Sequence, residues 1–404
     1  MERSILHMDL DTFFVSVERL MDSRLNGKPI LVGGTGDRGV VSAASYEARY
    51  FGAHSGMAMR LARQLCPEAI VIRGDGGSYA KYSSLITDIL KESVPVLEKA
   101  SIDEFYADLS GMDKFFGCYQ YATELRQKVI KESGLPISFG LSVNKTVSKV
   151  ATNEAKPNNQ LRIDFGCEKN FLAPLSVKKI PQVGDKMFQL LSNMGVKKVK
   201  TLQEMPVEML EAAFGKTGIL IWEKANGIDQ RPVQPFHERK SISNERTFGQ
   251  DTMDIEKMLG IVKAMAENLA FQLRQGEKLT SCITVKIRYS DFQTLSKQKK
   301  ISFTAADHIL VPAVVELFQK LYDRRLLVRL VGVRFSELTE GYYQISLFDD
   351  WDKTVGLYKA MDSVRNRFGS HLLSSAGTQH VKTIASNHNP FNGEPNFIPA
   401  HRNQ

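Results

Sequence analysis

Cysteine is scarce in this chain, and the four present, Cys66, Cys118, Cys167 and Cys282, stand far apart with no Cys-x-x-Cys pair. That spacing argues against a zinc module or a disulfide framework and suits a reducing compartment. Long apolar runs are missing too. None approaches the roughly 20 residues that a membrane-spanning helix needs. The start, Met1-Glu2-Arg3-Ser4, has no basic segment, long apolar segment or small-residue cleavage site, so no secretory leader is expected. There is no internal repeat and no extended low-complexity stretch before Ser386. From there Asn, Pro, His and Gly dominate, and a disordered tail is expected. Together these absences lead to the expectation of a cytoplasmic protein with no membrane partner.

What is present is ordinary for a globular chain: 43% hydrophobic and 24% charged residues. A length of 404 residues exceeds one compact core, and domains of roughly 100–200 residues predict two to four of them. The net charge of +8 points to a polyanionic partner without choosing among nucleic acids and acidic surfaces.

Chemistry concentrates at Ser101-Ile102-Asp103-Glu104, inside a run from Leu97 to Leu109 that otherwise reads as two short strands. Side chains alternate along a strand, so adjacent carboxylates serve one site only where a turn re-aims them. A solvated turn is the simpler explanation of the dipeptide by itself, since Asp favours turns. The element order decides what else is near. Ile5 to Met8 reads as a strand running into Asp9-Leu10-Asp11, and Thr12 is placed to cap a helix carrying Phe13, Phe14, Val17 and Leu20. Strands are expected at 29–33, 39–44 and 69–72, short helices at 45–50 and 59–65, and a breaker at Gly74 to Gly77. A helix over 79–94, the 97–109 hairpin, a helix over 113–133, a strand over 137–143 and a helix over 144–155 follow. Simplified, this is β-α-β-β-α-β, a ferredoxin-like order within an α+β class. That order sets Asp9, at the end of the first strand, against Asp103 and Glu104. Three clustered carboxylates repel one another, and hard divalent cations remove that penalty. Two such ions about 4 Å apart support in-line phosphoryl or nucleotidyl transfer. Tyr46 and Arg49, one helical turn apart, and Lys156 are candidate triphosphate contacts or plain surface residues.

Beyond Ile180, the run Pro181-Gln182-Val183-Gly184-Asp185-Lys186 fits a helix-hairpin-helix that offers backbone N–H groups to a phosphate, or an ordinary helical hairpin. Residues 232–240 read as a linker. A second α+β domain follows, with helices at 257–275 and 308–323 and strands at 282–289 and 326–335. Lys286 and Arg288 share one strand face, opposite Ile283, Val285 and Ile287. Arg329 and Arg334 lie on the last strand, and 297–300 is basic. Phosphate contact and a solvated face both explain these cations. A short helix is expected over 358–368.

The segments Met8 to Glu18, Ser45 to Gly52, Ser101 to Glu104, Phe139 to Lys145, Ala155-Lys156-Pro157, Ala225 to Asp229 and Val331 to Phe335 occur in one order. In that order they resemble the Y-family translesion DNA polymerases of the bacterial DNA polymerase IV type. The resemblance covers about residues 4–340. It implies a right-hand polymerase: a ferredoxin-like palm (1–11 and 75–163), fingers (12–74), a thumb (164–232), a linker (233–240), an α+β little finger (241–340) and a tail (341–404). It implies that Asp9, Asp103, Glu104 and the Leu10 carbonyl hold two Mg²⁺ ions, replaceable by Mn²⁺. By the same resemblance Tyr46, Arg49 and Lys156 bind the dNTP triphosphate, and Phe13 and Phe14 meet the nucleotide, Phe14 as a steric gate against a ribose 2′-OH. Ala43, Ala44 and Gly56 would roof the nascent pair. Primer-template DNA is expected on Gly184, Lys186, Lys286, Arg288, Arg329 and Arg334. Gln344, Leu347 and Phe348 resemble a sliding-clamp peptide, and a monomer is expected. Gln182 departs from the family, which has glycine in the thumb hairpin there. A nucleotidyl cyclase would share the paired acids but leaves the thumb and basic domain unexplained. A catalytically silent DNA- and clamp-binding scaffold would not need the acids, which this chain keeps.

Overall fold

The computed structural model describes residues 3–36, 38–112, 117–341, 351–369, 373 and 375–378. Two compact units divide the chain, one ending at His237 and the other beginning at Glu238. Among the described residues no helix is long and apolar enough to cross a membrane.

The first unit is built on β1 (Ile5–Leu10), every residue of which is buried. A strand covered on both faces needs an unbroken buried run rather than alternation. It lies between β6 (Glu104–Asp108) and β7 (Ile137–Ser142), antiparallel to both. With β5 (Val96–Lys99) and β8 (Gln160–Arg162) the sheet order is β5-β6-β1-β7-β8. Two helices, α4 (Gly76–Ser93) and α5 (Cys118–Ser133), cover one face, where Met8, Leu10, Phe105 and Phe139 pack on Ile86, Leu90, Leu125 and Val129. The other face carries α6 (Lys145–Ala155). Gly140 lets that helix approach: a Cβ there would sit 2.3 Å from the Ser148 carbonyl oxygen. Contact is sealed by Ser148 Oγ donating to the Ile5 carbonyl at 2.8 Å, and by His7 Nδ1 and Thr152 Oγ1 at 2.8 Å. This is the ferredoxin-like order expected from the sequence.

Between β1 and α4 lie α1 (Phe13–Met21) and a small sheet, β3 (Val41–Ala44) beside β2 (Ile30–Gly33) beside β4 (Ile70–Ile72). Two short helices, α2 (Tyr46–Tyr50) and α3 (Met59–Leu65), belong to it. Thr12 is not the side-chain cap expected. It takes a left-handed conformation (φ 44°) and makes no capping bond; its hydroxyl lies against the Ser16 hydroxyl at 3.4 Å instead of a first-turn N–H. Nor are Gly76 and Gly77 breakers. Asp75 caps α4 by accepting from Gly77 N (3.1 Å) and Ser78 N (3.3 Å), which draws both glycines into its first turn. Past β8 the chain is helical, with α7 (Glu168–Leu172), α8 (Asp185–Asn193), α9 (Val199–Glu204), α10 (Val207–Phe214) and α11 (Lys216–Ala225) around Leu172, Ile180, Leu191, Leu202 and Ile221. The element before α8 is a single 3-10 turn, Val177–Lys179, rather than an α-helix.

The second unit is a four-stranded antiparallel sheet, β11 (Thr294–Thr304), β10 (Lys278–Tyr289), β12 (Val328–Glu340), β9 (Ser241–Thr252), under α12 (Ile255–Gln275) and α13 (Asp307–Leu321). Ile283, Val285 and Ile287 face the helices, as their alternation predicts. The basic run 297–300 is part of the edge strand β11, where lysines also discourage edge pairing. The chain then adds α14 (Trp351–Phe368), longer than the helix expected. Its described side chains dock around Arg274. Arg274 on α12 is forked to Asp362 (Nε 2.7 Å, Nη2 2.9 Å) and reaches Asp307 (2.6 Å) and the Ala305 carbonyl (2.8 Å). Tyr358 lies under the guanidinium at 4.7 Å and accepts from His308 N at 3.1 Å.

Arg274→Met would leave two largely buried carboxylates, Asp307 and Asp362, with only the longer contacts of Arg365 at 3.9 and 3.8 Å, a loss of about 3 kcal/mol. The expected outcome is a lower thermal midpoint and proteolytic cleavage within residues 351–368, read by mass mapping of the fragments.

Candidate active site

The acids are brought together by the pairing of β1 with β6. Asp9 stands directly opposite Glu104 in the ladder, so both side chains leave the sheet on one face. One step on, Leu10 N donates to the Asp103 carbonyl at 3.0 Å. The dipeptide problem is solved by Ser101. Its hydroxyl accepts from Asp103 N (3.2 Å) and Glu104 N (3.0 Å) and donates to the Asp103 carboxylate, which folds the tip and re-aims Asp103. Ser83 Oγ ties down the Ile102 carbonyl at 2.6 Å. The tip is a braced turn, not a solvated one.

Burial sets the electrostatics. Asp9 is 5% exposed. Its carboxyl is pushed up to about 7 by burial, against the pull of the bonded Lys156 ammonium, with Glu104 and Asp103 adding like charge. Asp103 is also raised, by burial first and by Glu104, while Ser101 opposes the shift. Cations come from α6 and its end. Lys156 Nζ bonds Asp9 Oδ1, Lys149 Nζ bonds Glu104 Oε2 at 2.5 Å, and Lys145 Nζ bonds Glu98 at 2.6 Å. Among the described residues no three acids already converge as a metal cluster. The donor set nevertheless fits hard divalent cations, being oxygen-only with like charges held on neighbouring strands. Such ions would take over carboxylates that Lys149 and Lys156 now neutralise.

Asp11, in the same Asp-Leu-Asp motif, has another job. It is 2% exposed and accepts from Asn158 N (2.7 Å), Ser138 Oγ (2.8 Å) and Tyr46 OH (3.4 Å). It thereby holds the turn after Lys156-Pro157, together with Arg126, which donates to Asn158 O at 2.7 Å. It also draws Tyr46 from α2 toward the acids. Burial and Asp11 push the Tyr46 phenol well above its usual range. Arg49 lies over the Tyr46 ring at 5.2 Å and donates to the Ala44 carbonyl at 3.0 Å, the i, i+3 pairing the sequence predicts. Ser45 caps α2 through Ala48 N.

Phe13 and Phe14 part company. Phe13 is 3% exposed in the core and backs Phe14 at 5.4 Å, so it has little surface for a ligand. Phe14 is only partly buried and stacks on Tyr79 at 4.3 Å and 19°. Tyr79 is fixed in turn by donating to Glu18 at 2.5 Å. Ala44 is fully buried in the core of the small sheet and cannot face a base pair. Asp11, Tyr79 and Lys149 are the site residues that sequence reasoning missed. Lys149 carried a faint signal, one turn from Lys145 on α6. Tyr79 carried none beyond its apolar spacing.

The expected DNA contacts fall in both units. Gly184 opens α8 and Lys186 is exposed in its first turn. In the second unit Lys286, Arg288 and Arg334 share the open sheet face, since Arg334 pairs with Thr284 in register. Lys286 is bonded to Glu245, whose side chain crosses the strand between them at Gly332, where a Cβ would be 2.9 Å from Glu245 Cγ. Arg329 sits in a bulge, off that row, and stacks over Phe292 at 4.6 Å. Gln344, Leu347 and Phe348 lie outside the described residues.

Three family models match the chain: the impB/mucB/samB family over 8–153, that family's C-terminal domain over 239–347, and the DNA polymerase-iota thumb domain over 178–229. Similar proteins include a DNA polymerase IV of Dehalococcoides mccartyi, 35% identical over 95% of this chain and 99% of that one. Another is a DNA polymerase IV of Staphylococcus haemolyticus, 34% identical over 86% of this chain and 98% of the relative. Among solved structures, a Y-family chimera of Dbh and Dpo4 matches with a TM-score of 0.75 at 26% identity, over 84% of this chain and all of that one. An insertion ternary complex of Dbh DNA polymerase matches with a TM-score of 0.61 at 25% identity and the same coverage.

Asp11→Ala would strand the donors of Asn158, Ser138 and Tyr46. The expected loss is about 2 kcal/mol of stability, seen as a lower urea midpoint at unchanged slope.

Proposed function

The chain belongs to the Y-family DNA polymerases of the polymerase IV type, and from that membership we propose how this DNA-directed DNA polymerase works on damaged templates. It extends a primer 3′-OH by attack on the α-phosphate of a template-selected dNTP, with pyrophosphate leaving. The observation that carries the proposal is the register of Asp9 against Glu104, with the neighbouring Asp103 carboxylate held by Ser101. Asp9, Asp103, Glu104 and the Leu10 carbonyl would hold two divalent ions, Mg²⁺ or Mn²⁺. Bound there, the ions supply Lewis acidity that lowers the pKa of the attacking hydroxyl and neutralises the leaving oxygens.

This chain's own groups do the rest. Lys156 leaves Asp9 for the triphosphate and joins Tyr46 and Arg49 there, its turn held by Asp11. Phe14, braced from behind by Tyr79, excludes a sugar 2′-OH by volume. The palm is 1–11 and 75–163, the fingers 12–74, the thumb 164–232, the linker 233–240 and the little finger 241–340. The thumb hairpin meets the duplex backbone through Gly184 and Lys186. The open sheet face meets it through Arg288, Arg334 and Lys286, the last after exchanging Glu245 for phosphate. Arg329, held on Phe292, contacts DNA from the sheet's end. Gln344, Leu347 and Phe348 engage a sliding clamp, which raises the local concentration of a weakly held DNA. The protein acts as a monomer in the cytoplasm.

Primer extension tests the assignment. Asp103→Ala is expected to lose on the order of a thousandfold in rate, because a ligand of the ions that would stabilise transition-state charge is removed. Extension at the parent rate would refute the acid site. Phe14→Ala is expected to incorporate ribonucleotides while retaining dNTP extension. Unchanged sugar discrimination in a competition assay would take the gate from Phe14.

A further inference from the structure

The thumb hairpin contains a contradiction. Gln182 takes the left-handed conformation, φ 81°, a region that costs an L-residue roughly 1–2 kcal/mol and suits glycine. Nothing in its own turn compensates. The backbone bonds there, Val183 N to the Ile180 carbonyl (3.1 Å) and Gly184 N to the Gln182 carbonyl (3.2 Å), are those that a glycine would also make.

What differs is below the turn. Lys224, in the last turn of α11, is 1% exposed. A lysine buried that deeply is unusual without a partner of opposite charge. Its ammonium is spent on the hairpin, donating to Gln182 Oε1 at 2.7 Å and to the Pro181 carbonyl at 3.3 Å. Asp229 and Arg231, which pair with each other, are the other charges near it. Burial and Arg231 hold the Lys224 ammonium down at about 8. Helix α11 is itself locked in place, since Gln203 donates to the Ala225 carbonyl at 2.8 Å and to the Lys169 carbonyl at 3.0 Å.

We propose that Lys224 is a positioning residue for DNA binding: it staples Gln182 in the left-handed conformation and so presents the Gly184–Lys186 backbone to a duplex phosphate. The proposal rests on the reading of this hairpin as a DNA contact. The strained glutamine and the buried lysine act as one device that replaces the conformational freedom of glycine. Val183, buried in the core beneath, fixes the other side of the turn.

The test uses the full-length protein with Gln182→Gly, Gln182→Ala and Lys224→Met. Three quantities are read: amide hydrogen exchange over 180–187, primer-template affinity by fluorescence anisotropy, and dNTP KM at saturating DNA. Gln182→Gly, free to hold the turn unaided, is expected to bind DNA within about twofold of the parent. Gln182→Ala and Lys224→Met are each expected to quicken exchange and weaken DNA binding about tenfold, with dNTP KM unchanged. In the Gln182→Gly background, Lys224→Met is expected to cost far less. A global loss of structure would instead raise dNTP KM as well. Equal affinities for the glycine and alanine variants, or strictly additive effects of Gln182→Gly and Lys224→Met, would overturn the staple. Faster exchange with unaltered DNA affinity would leave the staple standing and remove the hairpin from the DNA interface.

Discussion

Like charge crowded at one corner of a buried sheet is the constraint on which the rest of this structure depends. Burying a carboxylate is costly, and burying several together is untenable without cations. The fold meets that cost with a single helix. Along α6 and just past its end, Lys145, Lys149 and Lys156 face Glu98, Glu104 and Asp9. That helix can lie close enough only because Gly140 has no side chain. The acids are therefore neutralised by groups that can be exchanged, which is the condition a site needs if cations and phosphates are to enter it. Lys145 and Glu98 are the exception, a buried pair whose acid also receives Gln234 N at 2.7 Å and so anchors the segment leaving the first unit.

The same economy of charge recurs away from the acids. In the second unit, Arg274 gathers Asp307 and Asp362 and fastens α14 to the domain. The last strand therefore does not end the domain. On the open sheet face, Glu245 occupies Lys286 across Gly332. An internal carboxylate there competes with any phosphate, which favours dissociable rather than tight contact.

Much of both units was legible in the sequence because its signals are local. Periodicity marked α4, the alternation at Ile283, Val285 and Ile287 marked β10, and the order of elements alone set Asp9 beside Asp103 and Glu104. Local rules failed where the chain had to turn under tertiary constraint. Thr12 has the right chemistry for a cap, but its left-handed backbone turns the hydroxyl to Ser16 Oγ and away from the first-turn N–H groups. Gly76 and Gly77 read as breakers until Asp75 capped them. The helix α14 was only half visible, since the ion pairs that hold its described side chains come from residues far along the chain.

The sequence by itself determined the three acids, the candidate triphosphate contacts, the ferredoxin-like order and the family. Each is carried by residue identities at fixed spacing. Only the tertiary structure showed that Asp11 holds the turn at Asn158. It alone showed that Tyr79 stands behind Phe14 and that Lys149 answers Glu104. The physical reason is distance along the chain. Asp9 and its partner Lys156 are separated by 147 residues. A buried charge takes whichever partner chain closure delivers, which no local pattern records. The acids and Lys156 were legible from the start, but the pairings that make the acids tolerable were not.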